Sequence, residues 1–204
     1  MKSTKVLLFA FRLALLATFV SVATLPLAAQ GARDQLKGTY FSTGAQACLV
    51  SPLGFTNQAP NNVALAFVQS SSVQGTYTFH ADGTGTAQFK ELLITHSPAA
   101  NAGASSTEQS FSFTYAMADD GTWTLVSGPV SGTVLTGSLK DVKFTLTDFP
   151  PMSGRIERNG TAITISTTDP TVETLTLELP HPLVLARICH RSRVLIPVHV
   201  DGED

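Results

Sequence analysis

Charge is scarce in this 204-residue chain: only 14% of residues are Asp, Glu, Lys or Arg, against about 25% in a typical soluble domain. A helical bundle or coiled coil, rich in Glu, Lys, Ala and Leu, is therefore excluded. Neither sign dominates, with 13 Lys+Arg against 15 Asp+Glu, so the basic stripe of a nucleic-acid binder is missing as well. Several motifs are absent. There is no Gly-x-Ser-x-Gly nucleophile elbow, since Ser127-Gly128 and Ser131-Gly132 are turn-type pairs. No phosphate-loop pattern occurs, and Gly83-Thr84-Gly85 belongs to a hairpin. None of His80, His96, His181, His190 and His199 stands at zinc-ligand spacing, and no Cys-x-x-Cys exists. Cys189-His190 with His181 and His199 is the nearest approach to a cluster, and it reads better as scattered surface histidines. The pattern supplies no metal, no cofactor and no reaction, so the expectation leans away from an enzyme.

What is present is β-forming. Thr and Ser number 26 and 18, with 15 Gly and 11 Pro, and a 43% hydrophobic content rules out a disordered tail. Residues 1–29 stand apart: Lys2 and Lys5 precede an almost wholly apolar run that ends in Leu27-Ala28-Ala29. A positive start, an apolar middle and a small-residue exit describe a secretory signal peptide cleaved after Ala29. The rival, an uncleaved anchor, would want about 20 uncharged apolar residues, and Arg12 interrupts the run. Cleavage removes three basic residues, leaving ten basic against fifteen acidic. The expected product is an exported, periplasmic or secreted, mildly acidic domain over 30–204. It has no pull toward nucleic acid or anionic lipid and no stable membrane insertion.

Export places Cys48 and Cys189 where a disulfide persists. A bridge between them is the favoured reading, and two buried thiols the alternative. The rest of the chain repeats one unit, an alternating strand, a Gly-containing turn and an alternating strand. Val73–His80 turns at Asp82-Gly83 into Thr86–Ile94. Phe111–Met117 turns at Asp120-Gly121 into Thr122–Val126. Gly154–Arg158 turns at Asn159-Gly160 into Ala162–Thr167. Asp-Gly and Asn-Gly between alternating runs are strong hairpin signals, because these residues accept the positive φ of tight turns. Further strands are expected at Gly38–Thr43, Leu139–Thr147, Thr171–Leu179 and Val184–Val198, the last bent or broken around Cys189–Arg193. Asn62–Gln69 reads as a helical turn or a strand. Ser97–Glu108 reads as a polar loop, either a plain linker or a flap over a barrel mouth. Asp148–Met152 is a second loop, whose prolines bar a central strand. The sum is an all-β, antiparallel up-and-down barrel of eight to ten strands, with a β-sandwich as the alternative. Closure would make the first and last strands neighbours and give the Cys48–Cys189 bridge a seam to staple.

The Gly38-Thr39-Tyr40 opening, the Asp-Gly-Thr-Gly at Asp82–Gly85 and the cysteine in the last strand resemble bacterial exported proteins of the calycin type, lipocalin-like or allene-oxide-cyclase-like small barrels. The lipocalin opening has Gly-x-Trp, where this chain has Tyr40 in third place. The resemblance implies a small closed barrel able to hold an apolar ligand, and it assigns no catalytic residue.

Candidate site residues follow from the alternation. Tyr77, Phe79, Phe111, Phe113, Tyr115, Trp123 and Phe144 fall on apolar strand faces, where they either fill the core or line an apolar pocket. Glu91, Glu157, Glu173 and Glu178 are spread over three expected strands and are expected to be solvated. Arg187, Arg191 and Arg193 form the one basic cluster, read as surface ion pairs or as a site for a carboxylated ligand near the mouth. Three functions stay open: a binder of a small apolar ligand, a structural or interaction protein with a packed barrel, and a cyclase- or isomerase-type enzyme. The enzyme needs a carboxylate or histidine inside the barrel. Oligomeric state is not specified.

Overall fold

The computed structural model describes residues 36–97, 102–156 and 162–198. The expected signal peptide, Glu157, the Asn159-Gly160 turn and His199 lie outside them. The chain begins with β1 (Gly38–Ser51), a small hairpin of β2 (Phe55–Thr56) and β3 (Ala59–Pro60), and a 3-10 turn at Val63–Leu65. Three long strands follow, β4 (Phe67–Phe79), β5 (Thr84–His96) and β6 (Gly103–Met117). Then come six short ones: β7 (Thr122–Ser127), β8 (Val130–Val134), β9 (Lys143–Thr147), β10 (Met152–Ile156), β11 (Ile163–Ser166) and β12 (Val172–Leu177). The last strand is β13 (Leu183–Pro197).

All pairings are antiparallel, and β13 returns to pair with β1, closing the sheet. The short strands are halves of longer ones. β7 and β8 both pair with β6, β11 and β12 both pair with β13, and β9 and β10 bridge the corresponding halves. Each interruption holds proline: Pro129, Pro150-Pro151 and Pro170. A proline has no N–H to give the ladder, so pairing lapses there and resumes beyond. At the third break Thr167 patches the gap, its N–H donating to the Arg191 carbonyl while its Oγ1 accepts from the Arg191 N–H (2.9 Å). The result is an eight-stranded up-and-down barrel, with three of its eight staves snapped partway along.

Two turns are copies of one another. In each, Asp82 or Asp120 accepts from both the N–H and the hydroxyl of the Thr two residues on. Gly83 (φ 85°) and Gly121 (φ 80°) supply the positive φ. The loops have three residues, with Gly in the left-handed position that such hairpins require. The seam between β1 and β13 carries the disulfide, Cys48 lying directly opposite Cys189. A closed loop of this length is worth about 4–5 kcal/mol on the chain-entropy account.

Several sequence expectations need correction. The opening strand runs on to Ser51. Gly103–Glu108 is strand, because Ser, Thr and Gly there pair in register with Lys90–Thr95 of β5. Leu139–Asp141 is a turn, with Asp141 at φ 68°. Asn62–Gln69 divides between the 3-10 turn and β4. β13 continues unbroken through Cys189–Arg193, since β1 pairs with it from Ala186 to Pro197.

Inside, large residues face glycines across the strands: Phe89 opposite Gly75, Phe113 opposite Gly85, Trp123 opposite Gly154 and Phe144 opposite Gly132. A Cβ on Gly154 would stand 2.0 Å from the Thr164 carbonyl oxygen and 2.4 Å from the Trp123 indole nitrogen. These glycines are the floors on which the rings lie.

Candidate functional site

Alternation decides what enters the barrel. On β13 the inward positions are Leu185, Arg187, Cys189, Arg191, Arg193 and Leu195, all buried. On β12 Glu173 shares its face with Leu175 and Leu177, and on β5 Glu91 shares its face with Phe89. The interior thus has three levels.

At one end it is solid. Tyr40, Tyr77, Phe79, Phe89, Phe113, Tyr115 and Trp123 pack with Leu125, Ile163, Ile165 and Leu195, and Leu36 lies in the same cluster. Phe79 touches the rings of Tyr40, Phe113, Tyr115 and Trp123 at centroid distances of 5.2–5.7 Å. The hydroxyl of the buried Tyr115 shares its one proton between the carbonyls of His80 (2.6 Å) and Leu36 (3.0 Å).

A polar belt follows. Glu173 is fully buried, and a buried carboxylate is tolerated only with partners. It has two: Arg191 grips it bidentately, one bond at 2.6 Å, and Arg187 donates from Nε at 3.0 Å. Arg191 also lies over the Phe149 ring at 4.6 Å. Burial holds the Arg187 guanidinium below its ordinary range, and Glu173 pulls the other way. Burial likewise lowers Arg193 and raises the Tyr77 phenol beside it. Arg193 donates to the Ala45 carbonyl (3.2 Å), and its Nε finds no partner among the described residues. Glu91 is served differently, accepting from the side-chain amides of Gln46 (3.3 Å) and Gln109 (2.9 Å). Among the described residues the ion pairs of the barrel go to Glu173 alone.

Beyond the belt the barrel is hollow. A cavity of about 690 Å³ is walled by Phe67, Leu93, Val134, Phe144, Leu146, Leu175, Leu177 and Leu185, with Glu91, Thr107 and Arg187 also on its lining. The size falls within the range of small-molecule sites, as does an apolar wall with a few polar groups. Leu139 and Leu183 line it too and are partly exposed, marking the mouth. A second concavity, about 880 Å³, lies largely on the outer face among Gln74, Gln88, Lys90, Glu108 and Lys143. None of the five buried charged side chains among the described residues lines it.

Of the aromatic candidates, Phe144 lines the cavity. Tyr77, Phe79, Phe113, Tyr115 and Trp123 belong to the solid end, and Phe111 packs against both ends. The cavity is instead lined chiefly by leucines, which the sequence reading left out. Glu178 is exposed as expected, but the solvated reading fails for Glu91 and Glu173, and the arginine pairs lie inside the barrel instead of on its surface. The signal was there: each shares strand parity with apolar neighbours. The four described histidines are exposed, so among the described residues only Glu91 and Glu173 meet the enzyme reading's need for an interior acid. No set of described His, Cys, Asp and Glu side chains could hold a metal ion. No described helix is long and apolar enough to cross a membrane.

No family profile matches the chain, and no curated protein matches it in sequence. Among solved structures, a candidate AttH protein from Nitrosomonas europaea is similar with TM-score 0.33 and 8% identity, over 80% of this chain and 53% of that one. The chain thus spans about half the length of the Nitrosomonas protein. The S-type phycobiliprotein lyase CPES from Guillardia theta matches with TM-score 0.23 and 8% identity, over 83% of this chain and 92% of the lyase. Likeness at this level transfers no activity.

Proposed function

We propose that the protein is an exported barrel that binds a small apolar molecule in its hollow end. One observation carries this reading: the same eight strands that close tightly around aromatic rings at one end leave about 690 Å³ lined by leucines at the other. Water held against so much apolar wall is readily displaced by an apolar guest. Export fits the disulfide, which persists in an oxidising compartment, and the signal peptide expected over residues 1–29. The solid end supports the packed-barrel alternative only for half the interior. The test fills the cavity. An environment-sensitive hydrophobic dye should bind the full disulfide-bonded protein one to one, and native mass spectrometry should show a co-purified apolar ligand. Leu146→Trp, placed in the cavity wall, should weaken dye binding at least about tenfold by occupying the space. Dye binding that ignores Leu146→Trp would place any apolar site elsewhere and remove the proposal.

A further inference from the structure

We infer that the guest is an amphiphile whose head carries an anionic acceptor beside a hydrogen-bond donor, with a hydroxylated fatty acid as the simplest case. The inference rests on the pocket proposed above and concerns its floor. Glu91 on β5 and Thr107 on β6 are directly opposed in register and both point inward. Arg187 reaches the same cavity from β13, three strand steps away round the ring through β1 and β4. All three residues are more than nine-tenths buried.

Each of the three has capacity left over. The Thr107 hydroxyl has no hydrogen-bond partner among the described residues. Glu91 is met by two neutral amides and forms no ion pair with a described cation. Arg187 commits Nε to Glu173 and still lines the cavity. A purely apolar guest would leave the Thr107 hydroxyl without a partner in a dry site and the spare capacity of Glu91 and Arg187 unused, which is costly for buried polar atoms. A head with both functions resolves it. Its acceptor faces Arg187, and its hydroxyl donates to Glu91 while accepting from Thr107. The charge agrees, because among the described residues three buried arginines face two buried carboxyl groups. One further anionic group balances the interior, and the leucine walls take the chain.

The experiment uses the full disulfide-bonded protein and three ten-carbon probes competing with a bound dye: 3-hydroxydecanoate, decanoate and methyl decanoate. The hydroxy acid should bind about tenfold more tightly than decanoate, the size of one hydrogen bond to a charged group. Decanoate should in turn outbind the ester. Thr107→Val, nearly isosteric, and Glu91→Gln should each bring 3-hydroxydecanoate down to the level of decanoate. Equal affinity for all three probes, or a hydroxyl preference that survives both substitutions, overturns the inference and leaves the apolar pocket standing. If no ten-carbon probe displaces a dye whose binding Leu146→Trp weakens, the inference falls and the pocket stands; if Leu146→Trp leaves dye binding unchanged, both fall.

Discussion

The two ends of the barrel share their five long strands and differ in what points inward. At the solid end the inward residues are chiefly aromatic, and three of them lie on glycines, as Trp123 lies on Gly154 and Phe113 on Gly85. A ring opposite a residue without a side chain lies flat against the wall and reaches neighbouring rings, so the space fills. At the hollow end leucines face one another with a single such pair, Phe144 on Gly132. Branched side chains of moderate length stop short of the axis and leave room. The belt of Glu173, Arg187 and Arg191 stands between the two. The two ends thus differ in the side chains that the shared strands turn inward.

The largest break should come at the belt. Glu173→Gln leaves two arginines buried with a neutral partner, and the cost should be about 3–5 kcal/mol in urea unfolding. A loss below about 1 kcal/mol would mean that water reaches the pair. The next test sets the ends against each other directly. Leu125→Ala at the solid end should cost about 3–5 kcal/mol, because it opens a void in close packing. Leu177→Ala already borders free space and should fall below about 2.7 kcal/mol. Equal losses would erase the distinction. Gly154→Ala forces a methyl against the Thr164 carbonyl and the Trp123 ring, and should cost about 1–3 kcal/mol. Gly103→Ala meets nothing within 4 Å and serves as its control. The smallest effect is at the twin turns. Hydrogen bonds from the Thr122 hydroxyl and N–H hold Asp120 below its ordinary value of 3.8, and Thr84 does the same for Asp82. A depressed folded-state value gives stability that is present above the ordinary value and is lost as pH falls through the depressed one. Asp120→Ala should therefore lower the urea midpoint slightly at pH 7, and the gap should close in acid. A gap that persists at the lowest pH would assign the effect to backbone geometry.

Much of the architecture was legible in the alternation. Asp82-Gly83 and Asp120-Gly121 marked their hairpins, and Pro150-Pro151 marked one of the three strand breaks. The barrel seam was foreshadowed by Cys48 and Cys189, one near each end of the expected barrel domain. Gly103–Glu108 was misread because small polar residues carry no apolar period, although as strand they need only backbone partners. The interior charges were misread for the opposite reason. Arg187, Arg191 and Arg193 share the parity of Cys189, and Glu173 that of Leu175, yet charge alone suggested solvent. Parity was the better guide. Which end would be hollow lay beyond any local pattern, since it depends on how side chains from strands distant in sequence meet at the axis.

The division into a solid and a hollow end is tested most directly by methyl-labelled NMR during titration with a hydrophobic dye or a ten-carbon acid. Shifts should gather on Leu93, Leu146, Leu177 and Leu185, which wall the cavity, while Leu125, Ile163 and Leu195 stay in place. Shifts centred on Leu125 and Leu195, with the cavity leucines unmoved, would contradict the account.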